Sequence, residues 1–197
     1  MEIKSQLVKE LRGKTGAGIM DCKEALQKCS ADLEKAIEYL RKKGINSASS
    51  KLSRKALNGK VDSYIHLNGK VGVLVEINCE TDFVASTEDF GQFVKEIAMQ
   101  IAATNPDYIS RDNVPKEKID KEKEIYYAQL ENSNKPDKVK DKIVEGKLEK
   151  YFKENCLMEQ EYIRDSNKTI KELLLETISK LGENIIIKRF SRFQLGE

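Results

Sequence analysis

The 197 residues predict an α+β fold: an N-terminal three-helix unit, then a core in which helices pack on a small antiparallel β-sheet. Three observations carry that expectation. Residues 1–44 place apolar side chains at helical spacing in three short runs. Residues 61–79 alternate apolar and polar on either side of Asn68-Gly69, the strongest short hairpin signal. Helical periodicity then returns and runs, with breaks, to Leu181, before a last β-branched run at Ile185-Ile186-Ile187.

The first helix takes its apolar face from Ile3, Leu7, Val8 and Leu11. The second spans about Ile19–Lys28 and is expected to bury Met20 and Leu26, with Cys22 and Cys29 as further candidates. Ser30 or Asp32 can cap the third, whose stripe is Leu33, Ala36, Ile37 and Leu40; Gly44 reads as its C′ residue. The serine-rich, basic stretch after it reads as a linker. The hairpin follows, with Val71, Val73, Val75 and Ile77 on its return strand and His66 as an exposed strand-end residue. A helix is expected from Thr87 or Glu88, with Phe90, Phe93, Val94, Ile97 and Ile101 inward, stopped by Asn105-Pro106. Two charged helical stripes come next, one with Ile119, Tyr126 and Leu130, the other with Val139, Ile143, Leu148, Tyr151 and Phe152. Asn132 to Pro136 breaks them into a hairpin. Thr169–Leu181 is helical, ended by Gly182, and Glu183–Leu195 is a strand that should join the first hairpin. The domains expected are thus a three-helix domain at 1–45, a basic linker at 46–60, and a core at 61–197 carrying the charged hairpin at about 115–165.

Composition narrows the function. A net charge of +2 argues against nucleic-acid binding by field alone. No apolar run approaches the roughly 20 residues that span a bilayer, and residues 1–6 show no apolar signal region, so a cytoplasmic location without membrane association is expected. Cys22, Cys29, Cys79 and Cys156 are scattered, and His66 is the only histidine. Neither a metal site nor a nucleophilic catalytic set is visible, and no cofactor is expected.

Gly13-Lys14-Thr15 looks like the tail of a phosphate-binding loop, but the motif G-x-x-x-x-G-K-[ST] needs a glycine where Val8 stands. A helix, not a strand, precedes it. Direct nucleotide binding is therefore not expected, and Gly13, Gly16 and Gly18 read as turn residues between helices. The other unusual stretch is Glu80-Thr81-Asp82-Phe83-Val84, an acid beside a large aromatic in the connection after a well-formed strand. Loops on rigid scaffolds are where recognition residues concentrate, although an arbitrary loop Phe more often folds back over the core.

Two long motifs carry a resemblance. One is Leu11-Arg12…Thr15-Gly16-Ala17-Gly18-Ile19-Met20-Asp21-Cys22-Lys23-Glu24-Ala25-Leu26; the other is Gly72 through Val84, ending Asn78-Cys79-Glu80-Thr81-Asp82-Phe83-Val84. With the ending Gly182-Glu183-Asn184-Ile185…Arg189-Phe190, the chain resembles, over its whole length, the elongation factor Ts family, exchange factors of the GTPase elongation factor Tu. The resemblance implies that the three-helix unit is similar to a ubiquitin-associated (UBA) domain and docks on the partner's GTPase domain. Arg12, Thr15, Gly16, Ala17, Gly18, Ile19 and Met20 would form that contact. It also implies that Thr81, Asp82, Phe83 and Val84 reach toward the partner's magnesium site, Phe83 as a wedge and Asp82 near the ion. Such a factor promotes GDP release and GTP entry and is no enzyme. Longer members of the family have a core of two related halves, so a homodimer would supply the second half here. Ile185–Ile187 and Phe190 offer an interface strand, or ordinary core. Two alternatives stand beside this reading. One is an RNA-binding accessory protein of translation using the basic 39–61 stretch, where seven Lys/Arg occur without an acid. The other is a generic adaptor working through the three-helix unit, which leaves the Phe83 loop unexplained.

Overall fold

The computed structural model describes residues 4–131, 133 and 135–196, with backbone only at 45–47 and 67. Ile3 of the expected first helix and Asn132 and Asn134 of the expected break lie outside the described residues. The fold is α+β, with three N-terminal helices and a small antiparallel sheet. By its internal contacts the chain divides into two compact units. One comprises Met1–Lys60, Ile77–Phe93 and Glu172–Ile186; the other Val61–Glu76, Val94–Lys171 and Ile187–Glu197.

The first unit opens with α1 (Ser5–Thr15), α2 (Ile19–Lys28) and α3 (Leu33–Ser49). Leu11, Cys22, Ala25, Leu26, Ala36 and Leu40 are buried together, with Leu7, Val8, Leu33 and Ile37 packed around them. Asp32 caps α3, its carboxylate accepting the Lys35 N–H at 3.1 Å. Two expectations are corrected. Met20 is 74% exposed, on the side of α2 away from this core. And α3 does not stop at Gly44 but runs on to Ser49. Gly44 serves close approach, not capping: a Cβ there would sit 2.7 Å from Ser179 Oγ, so that side chain would have to turn away. Ser179 lies on α8 (Ile170–Leu181), whose Glu172 and Glu176 also reach Arg41 of α3 at 3.5 and 3.2 Å.

Strand β1 (Asn58–His66) and strand β2 (Val71–Cys79) form the expected hairpin. Between them Asn68 (φ 53°) and Gly69 (φ 89°) are left-handed, the conformation this residue pair supplies. The third strand, β5 (Ile185–Gln194), lies beside β2, giving the order β1-β2-β5. Alternate residues of β2, from Val71 to Cys79, are buried, whereas edge strand β1 leaves Val61 and Ile65 exposed. After β2 come the single-turn α4 (Asp82–Ala85) and α5 (Glu88–Thr104), with Phe90, Phe93, Val94, Ile97 and Ile101 buried as expected.

In the second unit, α6 (Lys116–Gln129) and α7 (Asp137–Asn155) are the charged helical hairpin. At its base Val114, Tyr151, Phe152 and Cys156 are buried together. Arg111 ties this base, its guanidinium 4.9 Å from the Phe152 ring and hydrogen-bonded to Glu159 and Glu149. A short second hairpin, β3 (Glu161–Tyr162) with β4 (Asp165–Thr169), was not foreseen. It is held by the fully buried Gln100, whose amide donates to the Glu161 carbonyl at 3.1 Å and accepts the Ile163 N–H at 2.9 Å.

Candidate functional site

Two surface features of the first unit expose large apolar side chains on ordered turns. The first is the α1–α2 connection. Helix α1 ends because Gly16 turns left-handed (φ 67°), its N–H donating to the Arg12 carbonyl at 2.8 Å. Thr15 Oγ1 donates to the Leu11 carbonyl at 2.7 Å and accepts the Ala17 N–H at 3.3 Å, so its hydroxyl is used inside the turn. Gly18 begins α2, and its carbonyl accepts the Cys22 N–H. What remains outward is Arg12 and, at the start of α2, Ile19 (57% exposed) and Met20. Behind the turn, Lys43 reaches both Asp21 (2.9 Å) and Glu24 (2.7 Å), locking α3 to α2. The Lys28 and Lys43 ammonium groups hold the Glu24 carboxyl down at about 2.

The second feature is α4 and the residues before it. Thr81 is the N-cap, its hydroxyl accepting the Val84 N–H at 3.3 Å. The same hydroxyl donates to Glu183 Oε1 at 2.6 Å. Glu183 Oε2 accepts the N–H groups of Glu80 (3.1 Å) and Thr81 (3.0 Å). Cys79 Sγ donates to the Thr81 carbonyl at 3.1 Å, and burial pushes its thiol pKa up. Val84 is buried and pins the turn from below. Asp82 is exposed, its backbone carbonyl accepting from Ser86 N and Oγ. Phe83 is 79% exposed and does not fold back over a core. A shallow cleft beside it is lined by Asn58, Lys60, Asp82, Ser86, Thr87 and Gly91.

The expected site residues, Arg12 with Thr15 to Met20 and Thr81 to Val84, lie on these two turns. Glu183, Asn184 and Cys79, which hold the second, stand within the quoted motifs, but nothing in the sequence marks them as its anchors. His66 is exposed and bonded to Tyr64 (2.9 Å). Among the described residues no cluster of His, Cys, Asp or Glu is arranged to hold a metal, and no helix is long and apolar enough to cross a membrane.

Comparison with known proteins agrees along the full length. Residues 6–197 match the family described as Elongation factor TS. The elongation factor Ts of Thermoanaerobacter sp. (strain X514) is 62% identical over 195 residues, covering 99% of this chain and 96% of that protein. That of Caldanaerobacter subterraneus subsp. tengcongensis is also 62% identical over 195 residues (99% and 98%). That of Syntrophus aciditrophicus is 55% identical over 197 residues (100% and 98%).

Proposed function

Because the chain belongs to the elongation factor Ts family, we propose that it binds elongation factor Tu·GDP and promotes exchange of GDP for GTP by disturbing the magnesium and phosphate site of its partner. The observation that carries this reading is Phe83, a large aromatic left 79% exposed on a turn that Thr81 and the buried Val84 hold in place. Bound nucleotide is held by backbone amides around its phosphates and by Mg²⁺ bridging phosphate and protein oxygens. Magnesium tolerates little departure from octahedral geometry. Burying Phe83 between partner helices supplies about 1.5–3 kcal/mol toward moving such ligands. Asp82, also exposed, brings a negative charge toward the ion site. Thr81 and Val84 act by holding the turn.

The three-helix module at 1–45 is the second point of attachment, with Arg12, Ile19 and Met20 as contact residues and Thr15 to Gly18 shaping the loop that offers them. Coupling between bound factor and bound GDP is reciprocal, so each loosens the other and GTP can enter. No covalent bond changes, so the protein acts as a cytoplasmic exchange factor and not an enzyme, and it needs no nucleotide or cofactor of its own. A homodimer remains the proposal for its assembly. Ile185 and Ile187 are buried within the chain, so the exposed apolar strand residues available to a second copy are Val61, Ile65, Leu74 and Phe193.

Use of the basic stretch to bind RNA is the weaker reading. Arg41 pairs with Glu172 and Glu176, Lys42 with Glu38, Lys43 with Asp21 and Glu24, and Arg54 with Glu80. Charge already neutralised within the fold releases fewer counterions from a nucleic acid.

Release of a fluorescent GDP from purified elongation factor Tu tests the proposal. Wild type should accelerate release, and Phe83→Ala should remove about 10- to 100-fold of that acceleration. No acceleration by the folded wild type would defeat the proposal and favour RNA binding; acceleration unchanged in the variant would move the mechanism to the three-helix module.

A further inference from the structure

The turn that carries Phe83 cannot hold itself. Helix α4 has four residues, too few to sustain a helix without outside contacts. Its outward side chain makes no anchor, since Phe83 is exposed. The anchor comes from the connection between α8 and β5. One carboxylate, Glu183, takes three donors: the N–H groups of Glu80 and Thr81 at 3.1 and 3.0 Å, and the Thr81 hydroxyl at 2.6 Å. Its neighbour makes the reverse connection. The Asn184 N–H donates to Glu80 Oε1 at 2.6 Å, and the Asn184 side-chain amide donates to the Arg54 carbonyl at 2.7 Å.

We propose that Glu183 is a positioning residue for nucleotide exchange: its carboxylate fixes the entry to α4, and through it the direction in which Phe83 projects. The proposal rests on the reading of Phe83 as the wedge. Chemistry explains why a carboxylate stands here. Two of the partners are backbone N–H groups that can only donate, and the Thr81 hydroxyl, already accepting from the Val84 N–H, donates as well, so an ionised carboxylate serves all three with charge-assisted bonds. Glutamine keeps the shape and an oxygen for the two N–H groups but loses the charge, and charge-assisted hydrogen bonds are roughly twice as strong as neutral ones. A turn released from this clamp would still carry Phe83, but its ordering would have to occur during docking, which weakens the productive complex.

Glu183→Gln, Phe83→Ala and the double variant should be compared with wild type in two measurements, amide hydrogen exchange at Glu80 and Thr81, and GDP release from elongation factor Tu. Glu183→Gln should speed amide exchange at those two positions and slow GDP release about tenfold. It should have no further effect once Phe83 is alanine, because a residue acting through Phe83 couples to it. Thr81→Val, which removes both the hydroxyl's bond to Glu183 and its cap bond from the Val84 N–H, should slow release at least about threefold, with Thr81→Ser restoring it. Unchanged amide protection in Glu183→Gln overturns the proposal. So does a slowing of release that is equally large in the Phe83→Ala background, which is the mark of general destabilisation. Equal release by wild type and Phe83→Ala overturns the wedge reading and the positioning role with it, whereas the first two results leave the wedge standing.

Discussion

A Cβ placed on Gly59 would lie 2.2 Å from the carbonyl oxygen of Ile77 and 2.6 Å from the Cα of Asn78. Backbone, not a movable side chain, occupies that space, and Gly59 has φ 145°, where other residues are strained. Gly59→Ala should therefore destabilise the protein by about 2–4 kcal/mol. Gly69, also at positive φ but with open space around it, sets the scale. Gly69→Ala should cost only about 1 kcal/mol. Urea unfolding of both variants, read by circular dichroism, gives the comparison.

Neighbours Phe83 and Val84 should separate function from stability. Phe83 is 79% and Val84 6% exposed. Phe83→Ala should leave the unfolding midpoint within about 0.5 kcal/mol of wild type while exchange activity falls. Val84→Ala should cost about 1–3 kcal/mol and reduce activity only as far as the turn loosens. Equal stability losses in the two variants would mean that Phe83 is packed in solution.

Acid should weaken the three-helix module late. The Lys28 and Lys43 ammonium groups bring the Glu24 carboxyl from 4.5 to about 2 in the folded chain. A group whose folded pKa lies below its unfolded value binds fewer protons when folded. Its contribution is complete above about pH 4.5 and is lost as pH falls through 4.5 toward 2. Thermal unfolding as a function of pH should show this loss in wild type and a flatter profile in Glu24→Gln, with the two curves converging at the acid end.

Arg111 is expected to resist conservative replacement. It meets Glu159 with Nε and Nη2 at 2.8 and 2.9 Å, reaches Glu149 at 3.2 Å, and lies over the Phe152 ring. The hydrogen bond from Arg111 holds the Glu159 pKa below its usual value. Lysine cannot reproduce a two-nitrogen fork. Arg111→Lys should lose about 1 kcal/mol, close to Arg111→Ala, with amide exchange faster at the base of the α6–α7 hairpin. Recovery of most of the stability by lysine would show that charge alone matters.

Much of the fold was readable because its apolar stripes are strong. Leu11, Leu26 and Leu40 in the first unit and the buried face of α5 follow directly from helical spacing. Asn68-Gly69 marked its own turn. What escaped depends on partners far away in the chain. Gly44 has the look of a helix terminator, yet its use is set by Ser179. The β3–β4 hairpin has too few residues for alternation and is specified by Gln100, about sixty positions earlier. Met20 sits in a helix with a real apolar face, and counting residues does not tell a core position from one turned outward. The two candidate turns were visible as motifs, but the Glu183 clamp, a contact between distant segments, had no local signature.

The clamp also sets an order of events during synthesis. Thr81 leaves the ribosome 102 residues ahead of Glu183. At ordinary elongation rates of 5–20 residues per second, that interval lasts roughly 5–20 s. During it the nascent chain already contains its three-helix module and the residues of α4, but not the carboxylate that aims Phe83. On the proposed reading a growing chain presents its first docking surface well before its second is set, and the complete pair becomes available only once Glu183 has emerged.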